Sequence, residues 1–292
     1  MTTILHAPTL DLARTTTPTA TVEAEYGSEV IHGTVATVAH HQASGPFSPS
    51  ESPAPCNDDR IVPLPEGEGT ILVSHLDLDT VGGCLRLLGR SNLFRPELKP
   101  FWALSAFVDI RGPHRISEAG SSSEDVLRLN AYWAWAKTNI PRLPRDQNAD
   151  VTKLVDDAGI ALQAIFMGEL GLLDAGRAFM EAEADLNRRT CVRREGKVLY
   201  RVATAAADFC NHLYASPEGT PFEAVVCRNS EMGSVTISLA MPHPGVSCRD
   251  IVQGLWGPEA GGHAGIAGGP RGKALSEDDA NAAIQALNQA LS

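Results

Sequence analysis

The apolar run Thr-Ile-Leu-Val at residues 70–73 stops abruptly at Ser74-His75-Leu76-Asp77-Leu78-Asp79-Thr80-Val81-Gly82-Gly83. A short apolar run broken by alternating polar residues reads as a buried strand, a turn and the start of a helix. On an extended or turning backbone His75, Asp77 and Asp79 share one side while Leu76 and Leu78 face inward. A histidine and two carboxylates so placed can converge on one or two divalent cations. The same residues also suit a plain helix start whose carboxylates cap the first turn near Val81. A helix over 81–88 would aim its N-terminus at the site and favour an anionic ligand.

A second feature lies far along the chain, at Gly261-Gly262-His263-Ala264-Gly265-Ile266-Ala267-Gly268-Gly269. Glycines at this density let the backbone approach a ligand closely and present N–H groups to a phosphate or carboxylate, with His263 at the same place. A flexible connection has the same composition.

An HxDxD box after a strand, followed by a C-terminal GGHxxxAGG loop, resembles the DHH phosphoesterase superfamily with its DHH-associated C-terminal domain. The likeness extends over roughly 195–292: Val225-Val226-Cys227, the run 233–239, the segment 246–255 and the glycine loop are similar to that domain's strand, strand, helix and GGH turn. The resemblance implies an α/β fold in which a parallel-sheet N-terminal domain (1–190) holds two metal ions, manganese first and magnesium next. A helical connector joins it to a smaller α/β C-terminal domain (195–292) that closes over substrate. It implies hydrolysis of a phosphoester in a small nucleotide or short oligonucleotide.

The chain departs from the family pattern in two places. Thr80 stands where the first box commonly has glycine, and no Asp-His-His triplet follows the box. The one His-His pair, His40-His41, ends the strand-like run 31–39 and is a candidate source of the missing imidazoles. Asp109, in Ala106-Phe107-Val108-Asp109-Ile110-Arg111, fits a bridging carboxylate at the end of a second parallel strand. His114, past a Gly-Pro turn, is a candidate ligand or phosphate contact. Arg111 and Arg115 can neutralise phosphate, although surface ion pairing is their commoner use. Asp156-Asp157 is the nearest substitute for the family's fourth aspartate.

Residues 21–39 alternate apolar and polar around Tyr26-Gly27-Ser28 and read as a hairpin. The Ser-, Pro- and Gly-rich stretch 42–59 is a lid or surface excursion. Residues 122–183 are helical by periodicity, with Val126, Leu127, Leu129, Trp133 and Trp135 as core. The basic run 188–194 is a connector or a phosphate patch. With 292 residues and 43% hydrophobic content, two ordinary domains can be filled. The net charge of −11 argues against extended binding to long duplex nucleic acid. No apolar run is long enough to span a membrane and no secretory leader is evident, so a cytoplasmic enzyme is expected. The six cysteines show no CxxC spacing and read as buried, reduced thiols.

Together these assign His75, Asp77, Asp79 and Asp109 to metal, with His40, His41 and His114 as further ligands. Asp77, Asp79 and His263 carry catalysis, and Gly261, Gly262, His263, Arg111 and Arg115 hold substrate. A homodimer is the assembly expected, though no apolar stripe isolates an interface. A metal-dependent hydrolase of a non-phosphate bond and a non-catalytic nucleotide sensor are the competing classes.

Overall fold

The computed structural model describes residues 2–26, 29–40, 53–65, 67, 69–270 and 272–292. It has two compact units, Met1–Phe179 and Met180–Ser292.

In the first unit β1 (Thr2–His6), β2 (Ala20–Val22), β5 (Ala36–Val38) and β6 (Gly69–Val73) run parallel in the order β5-β2-β6-β1, and β7 (Ala149–Asp150) closes the β1 edge antiparallel. Ile4, Ile71, Leu72 and Val73 are fully buried. A strand covered on both faces needs such a near-continuous apolar run. Between β2 and β5 lies only a small hairpin, β3 (Glu25–Tyr26) with β4 (Glu29–Val30). The hairpin expected over 21–39 is thus corrected: β2 and β5 pair in parallel, Ala20 to Ala36 and Val22 to Val38. That reversal sets the site, because it brings the ends of both strands to the same edge.

Among the described residues five α-helices lie wholly within the unit: α1 (Leu10–Arg14), α2 (Leu78–Leu87), α3 (Lys99–Arg111), α4 (Ser123–Asn139) and α5 (Thr152–Phe166). Helix α6 (Leu170–Thr190) begins in this unit and ends in the next. The boundary expected after residue 190 therefore falls inside α6, whose Leu186 packs with Leu199, Val225 and Cys227 of the second unit. No single helix among the described residues is long and apolar enough to cross a membrane. The tryptophans pack: Trp102 stacks on Phe94 with ring centroids 4.8 Å apart, and its Nε1–H donates to the Leu93 carbonyl at 2.7 Å.

Residues 42–52 of the expected lid lie outside the described residues, but its end is buried. Ala54, Pro55 and Cys56 pack against α2 as a single 3-10 turn at Pro55–Asn57. The contact explains Gly82-Gly83. A Cβ on Gly82 would stand 2.5 Å from Cys56 Cβ and 2.9 Å from the Trp102 ring, and one on Gly83 would stand 2.7 Å from Pro55 Cβ and Val22 Cγ1. Gly82→Ala is therefore expected to destabilise the protein by about 1–3 kcal/mol, lowering Tm by roughly 2–10 °C. An unchanged Tm in thermal denaturation would show that the 3-10 turn moves aside at no cost.

The second unit is a six-stranded sheet, β12-β13-β11-β10-β9-β8, built from β8 (Cys191–Glu195), β9 (Val198–Ala203), β10 (Ala224–Asn229), β11 (Ser234–Leu239), β12 (Gly261–Gly262) and β13 (Ile266–Gly268). Only β9 and β10 are parallel. Helices α7 (Cys248–Trp256) and α8 (Glu277–Ala290) cover it through Val252, Ala283, Ile284 and Leu287. Each arginine at 189, 193 and 194 has a carboxylate partner, Asp208, Glu195 and Glu218 respectively. The basic run is an ion-paired connector.

Candidate metal centre

Parallel strands deliver the residues that follow them to one edge of a sheet. Here β2 delivers Glu23, β5 delivers His40 two residues past its end, and β6 delivers Ser74 and His75. Helix α2 begins at once, with Asp77 as its N-cap accepting from the Thr80 amide at 2.8 Å and Asp79 in its first turn. Asp77 caps the helix, as the plain helix start has it, while Asp79 turns inward, so the two carboxylates do not share one side.

His40 is the centre of the cluster. Its Nδ1 lies 3.1 Å from Glu23 Oε1 and 3.5 Å from Asp79 Oδ2, and its Nε2 lies 2.9 Å from Asp109 Oδ2. One ligand atom from each of Glu23, His40 and Asp79 lies within 4.8 Å of the others, and all three residues are buried. Asp109 does not end a parallel strand, as its apolar neighbourhood suggested. It sits near the end of α3, a helix apolar on most of its faces whose Phe101, Trp102, Leu104 and Val108 are buried, which leaves little helical period to read in the run 99–111. The helix nevertheless brings the carboxylate to His40.

Two backbone features fix the cluster. Cys56 donates its amide to Asp79 Oδ1 at 2.8 Å, leaving Asp79 Oδ2 buried and without a hydrogen-bond donor. Glu23 has φ of 46°, the one positive value outside glycine among the described residues. Such a conformation costs about 1–3 kcal/mol and persists only where its surroundings impose it. Here the Glu23 amide donates to the Val38 carbonyl at 2.9 Å and its carbonyl accepts from the Ser74 hydroxyl. Its Oε1 accepts from the His40 amide at 2.9 Å, while Oε2 is buried without a hydrogen bond. Strain therefore holds an acid beside an imidazole: Glu23 Oε2 has no hydrogen bond, and Asp79 Oδ2 has none but lies 3.5 Å from His40 Nδ1.

The electrostatics follow from three carboxylates around one ring. Burial works against a charge on His40, but Asp109, Glu23 and Asp79 overcome it and raise its pKa to about 10. Burial, with the charges of Asp109 and Asp77, raises Asp79 to about 8 against the Cys56 hydrogen bond. A shallower pair lies alongside, His75 Nε2 and Asp77 Oδ2 at 3.3 Å, with 47% and 44% of their side chains open. Surrounding protein opposes both charges, yet Asp77 raises His75 to about 9, while His75 and Thr80 lower Asp77 to about 2. Water reaches this pair and screens it, so the sense of the polarisation matters more than its size. His75 is an imidazolium beside an ionised Asp77, and it also feels the charges of Glu23 and Asp109.

Glu23, His6 and Tyr132 were not anticipated. His6 ends β1, is 6% exposed, and is held below its ordinary pKa by burial and by the charge of His75. Tyr132 on α4 is buried with no hydrogen bond to its hydroxyl, and burial with the nearby Asp77 charge raises its pKa. The signal for Glu23 is a polar residue directly after a β-rich run, which the hairpin reading of 21–39 hides; His6 is the polar last residue of the apolar run that forms β1.

The remaining candidates lie elsewhere or serve other contacts. His41 lies outside the described residues. The His114 ring packs against Gly112, 2.7 Å from where a Cβ would stand. Arg115 Nε donates to Glu118 at 2.9 Å, and the exposed Arg111 faces the same glutamate's charge. Asp156 and Asp157 pair with Arg90 and Lys153 on the surface of α5. In the second unit Gly261, Gly262 and His263 are exposed and form a tight turn, where the His263 amide donates to the Ile266 carbonyl at 2.7 Å. Gly262, at φ of 148°, could not carry a Cβ, which would lie 2.5 Å from that same carbonyl. Close packing of β12 on β13 accounts for this glycine.

No family model matches the chain, and no curated protein matches it. The crystal structure of an uncharacterized protein from Helicobacter pylori aligns over 75% of this chain and 69% of that one, at 13% identity and a TM-score of 0.22. A likeness that low carries no argument about fold or function.

Proposed function

We propose that the first unit binds a divalent cation through Glu23, His40, Asp79 and Asp109 and hydrolyses a phosphoester in a small nucleotide or short oligonucleotide. The observation that carries this reading is the buried Glu23–His40–Asp79 cluster, whose carboxylates each keep one buried oxygen with no hydrogen bond. Buried carboxylate oxygens without a hydrogen bond are costly, and a single imidazole faces Glu23, Asp79 and Asp109 together, leaving an excess of acid that a divalent cation would balance. Mixed carboxylate and imidazole donors suit manganese, with magnesium next.

A cation held there would supply charge stabilisation at a phosphoryl oxygen and lower the pKa of a water molecule. The chain's own groups supply the rest. Glu23 and Asp79 orient His40 through its Nδ1, so its ring plane is fixed before any ligand arrives. His75, half open and protonated, is placed to donate an N–H to a phosphate oxygen or a proton to the departing oxygen. Asp77 holds that proton on His75 and caps α2, whose N-terminus favours an anion. The net charge of −11 favours short substrates over long polyanions. The turn at His263 is assigned no step.

The test is metal content of the purified protein by elemental analysis, followed by phosphate release from short dinucleotides and nucleoside bisphosphates with added manganese. Stoichiometric manganese with turnover is expected. Bound metal without phosphate release would point to a hydrolase of another bond, and no bound metal at any pH would remove the proposal.

A further inference from the structure

The second unit contains a pair of sulfur atoms unrelated to the cluster above. Cys210 Sγ and Cys227 Sγ lie 2.8 Å apart and are 0% and 7% exposed as residues. Cys227 is on β10, and Cys210 belongs to the excursion at 204–223 between β9 and β10. All six cysteines are free thiols, and Cys56, Cys84 and Cys248 are each buried.

Arg201, on β9, distinguishes this pair. Its guanidinium is fully buried, and the hydrogen-bond partners it reaches are uncharged: the carbonyls of Leu213, Asn187 and Ala215, Asn187 Oδ1 and Thr190 Oγ1. A buried guanidinium ordinarily has a carboxylate. In the ladder Arg201 stands directly opposite Cys227 on one side and Cys191 on the other. An always-charged cation among thiols favours the thiolate, the form that attacks disulfides. The hydrogen bond from Cys227 and, against burial, the charge of Arg201 hold Cys210 below its ordinary pKa, while the same contact and burial raise Cys227. Cys210 follows the exposed stretch 204–207 and Phe209, whereas Cys227 is fixed in β10, so Cys210 is the sulfur a reagent meets first and Cys227 the resolving thiol.

We propose that Cys210 and Cys227 are a redox-active dithiol that closes to a disulfide by exchange with a small disulfide such as oxidised glutathione. The Cys210 thiolate attacks one sulfur of glutathione disulfide, forming a mixed disulfide and releasing one glutathione thiolate. Cys227 then loses its proton and attacks Cys210 Sγ, releasing the second glutathione. Two protein thiols are oxidised by two electrons, and one glutathione disulfide is reduced to two glutathiones. The reductant for the reverse step is any dithiol. Residues 204–207 and Phe209, the latter 71% exposed, precede Cys210, so a local opening of this stretch admits the reagent without unfolding the sheet. Closure ties the excursion to β10 at a point seventeen residues along the chain from Cys210. Arg201, bonded to Leu213 and Ala215 in that same excursion, holds the segment near its closing position while the thiols are reduced.

The full chain, equilibrated with glutathione buffers of increasing oxidised fraction, is quenched in acid, alkylated and mapped by mass spectrometry. A linked Cys210–Cys227 peptide is expected, with Cys56, Cys84 and Cys248 alkylated. Dithiothreitol should reverse the link, and Tm should be several degrees higher in the oxidised form. Cys227→Ala should stop at a glutathione adduct on Cys210. Alkylation of both thiols in wild type at every buffer ratio, or links to other cysteines in preference to this one, would overturn the proposal. An adduct on position 227 in Cys210→Ala with none on Cys210 in Cys227→Ala would overturn the order of attack.

Discussion

Asp79→Asn is expected to lower manganese-dependent turnover by at least ~100-fold while leaving the Tm of the metal-free protein at or above that of wild type. The carboxylate is 2% exposed and faces the charges of Asp109 and Asp77. In the metal-free protein its ionisation is thus unfavourable, and the neutral amide removes that repulsion. The contact that fixes the residue survives, since asparagine Oδ1 accepts the Cys56 amide as the carboxylate does at 2.8 Å. Activity and stability then move independently. Turnover measured at saturating manganese, beside thermal denaturation without metal, reads both. Retained turnover would take Asp79 out of the chemistry, and a collapse in Tm would make it a structural residue.

Manganese affinity should rise steeply with pH. His40, at about 10, and Asp79, at about 8, both carry protons near neutrality, and a ligand must shed its proton to bind. Below pH 8 each cation would displace up to two protons, so affinity should climb by as much as ~100-fold per pH unit; between 8 and 10 the limit falls to ~10-fold. Calorimetric titration at several pH values, in buffers of different ionisation heat, gives both the affinity and the proton count. A pH-independent affinity would show that the cation enters elsewhere. Stability of the metal-free protein runs the other way for His40. Its folded pKa lies above the unfolded value of 6.5, so its contribution is complete below pH 6.5 and is lost as pH rises through 10. Asp79, also raised, makes its burial progressively unfavourable from pH 3.8 up to about 8. Both effects favour the metal-free fold at lower pH, where metal binds worst.

Much of the box was legible because it is local: strand, turn and helix start occupy consecutive residues, but the helix begins at Leu78 and breaks the alternation, so Asp77 stays at the surface and Asp79 turns inward. His40 was legible as a polar residue after an alternating run. Glu23 was not, because its role depends on β2 and β5 being parallel, and a crossover of this kind leaves no mark in the periodicity of either strand. Asp109 shows the opposite case. An apolar run with one acid suits strand or helix, and the choice of helix came from the packing of Phe101, Trp102 and Leu104. The glycines at 82 and 83 could be read as a helix start, but the close approach of Cys56 that requires Gly82 comes from a segment more than twenty residues earlier. The sulfurs of Cys210 and Cys227 meet only across a folded excursion, so spacing alone left them as ordinary buried thiols.

The parallel arrangement of β1, β2, β5 and β6 also separates framework residues from donor groups. His6, Glu23, His40 and His75 follow or end the strands at one edge, while Thr2, Ala20, Ala36 and Gly69 begin them at the other. Replacements among those four starting residues alter packing without touching a donor group, whereas replacements at the far edge remove one. One end of this sheet is thus held by packing alone, with Ala20 fully buried, while the other is held by the chemistry of its donor groups, so a change at either end is read by a different measurement, stability at the first and metal binding at the second.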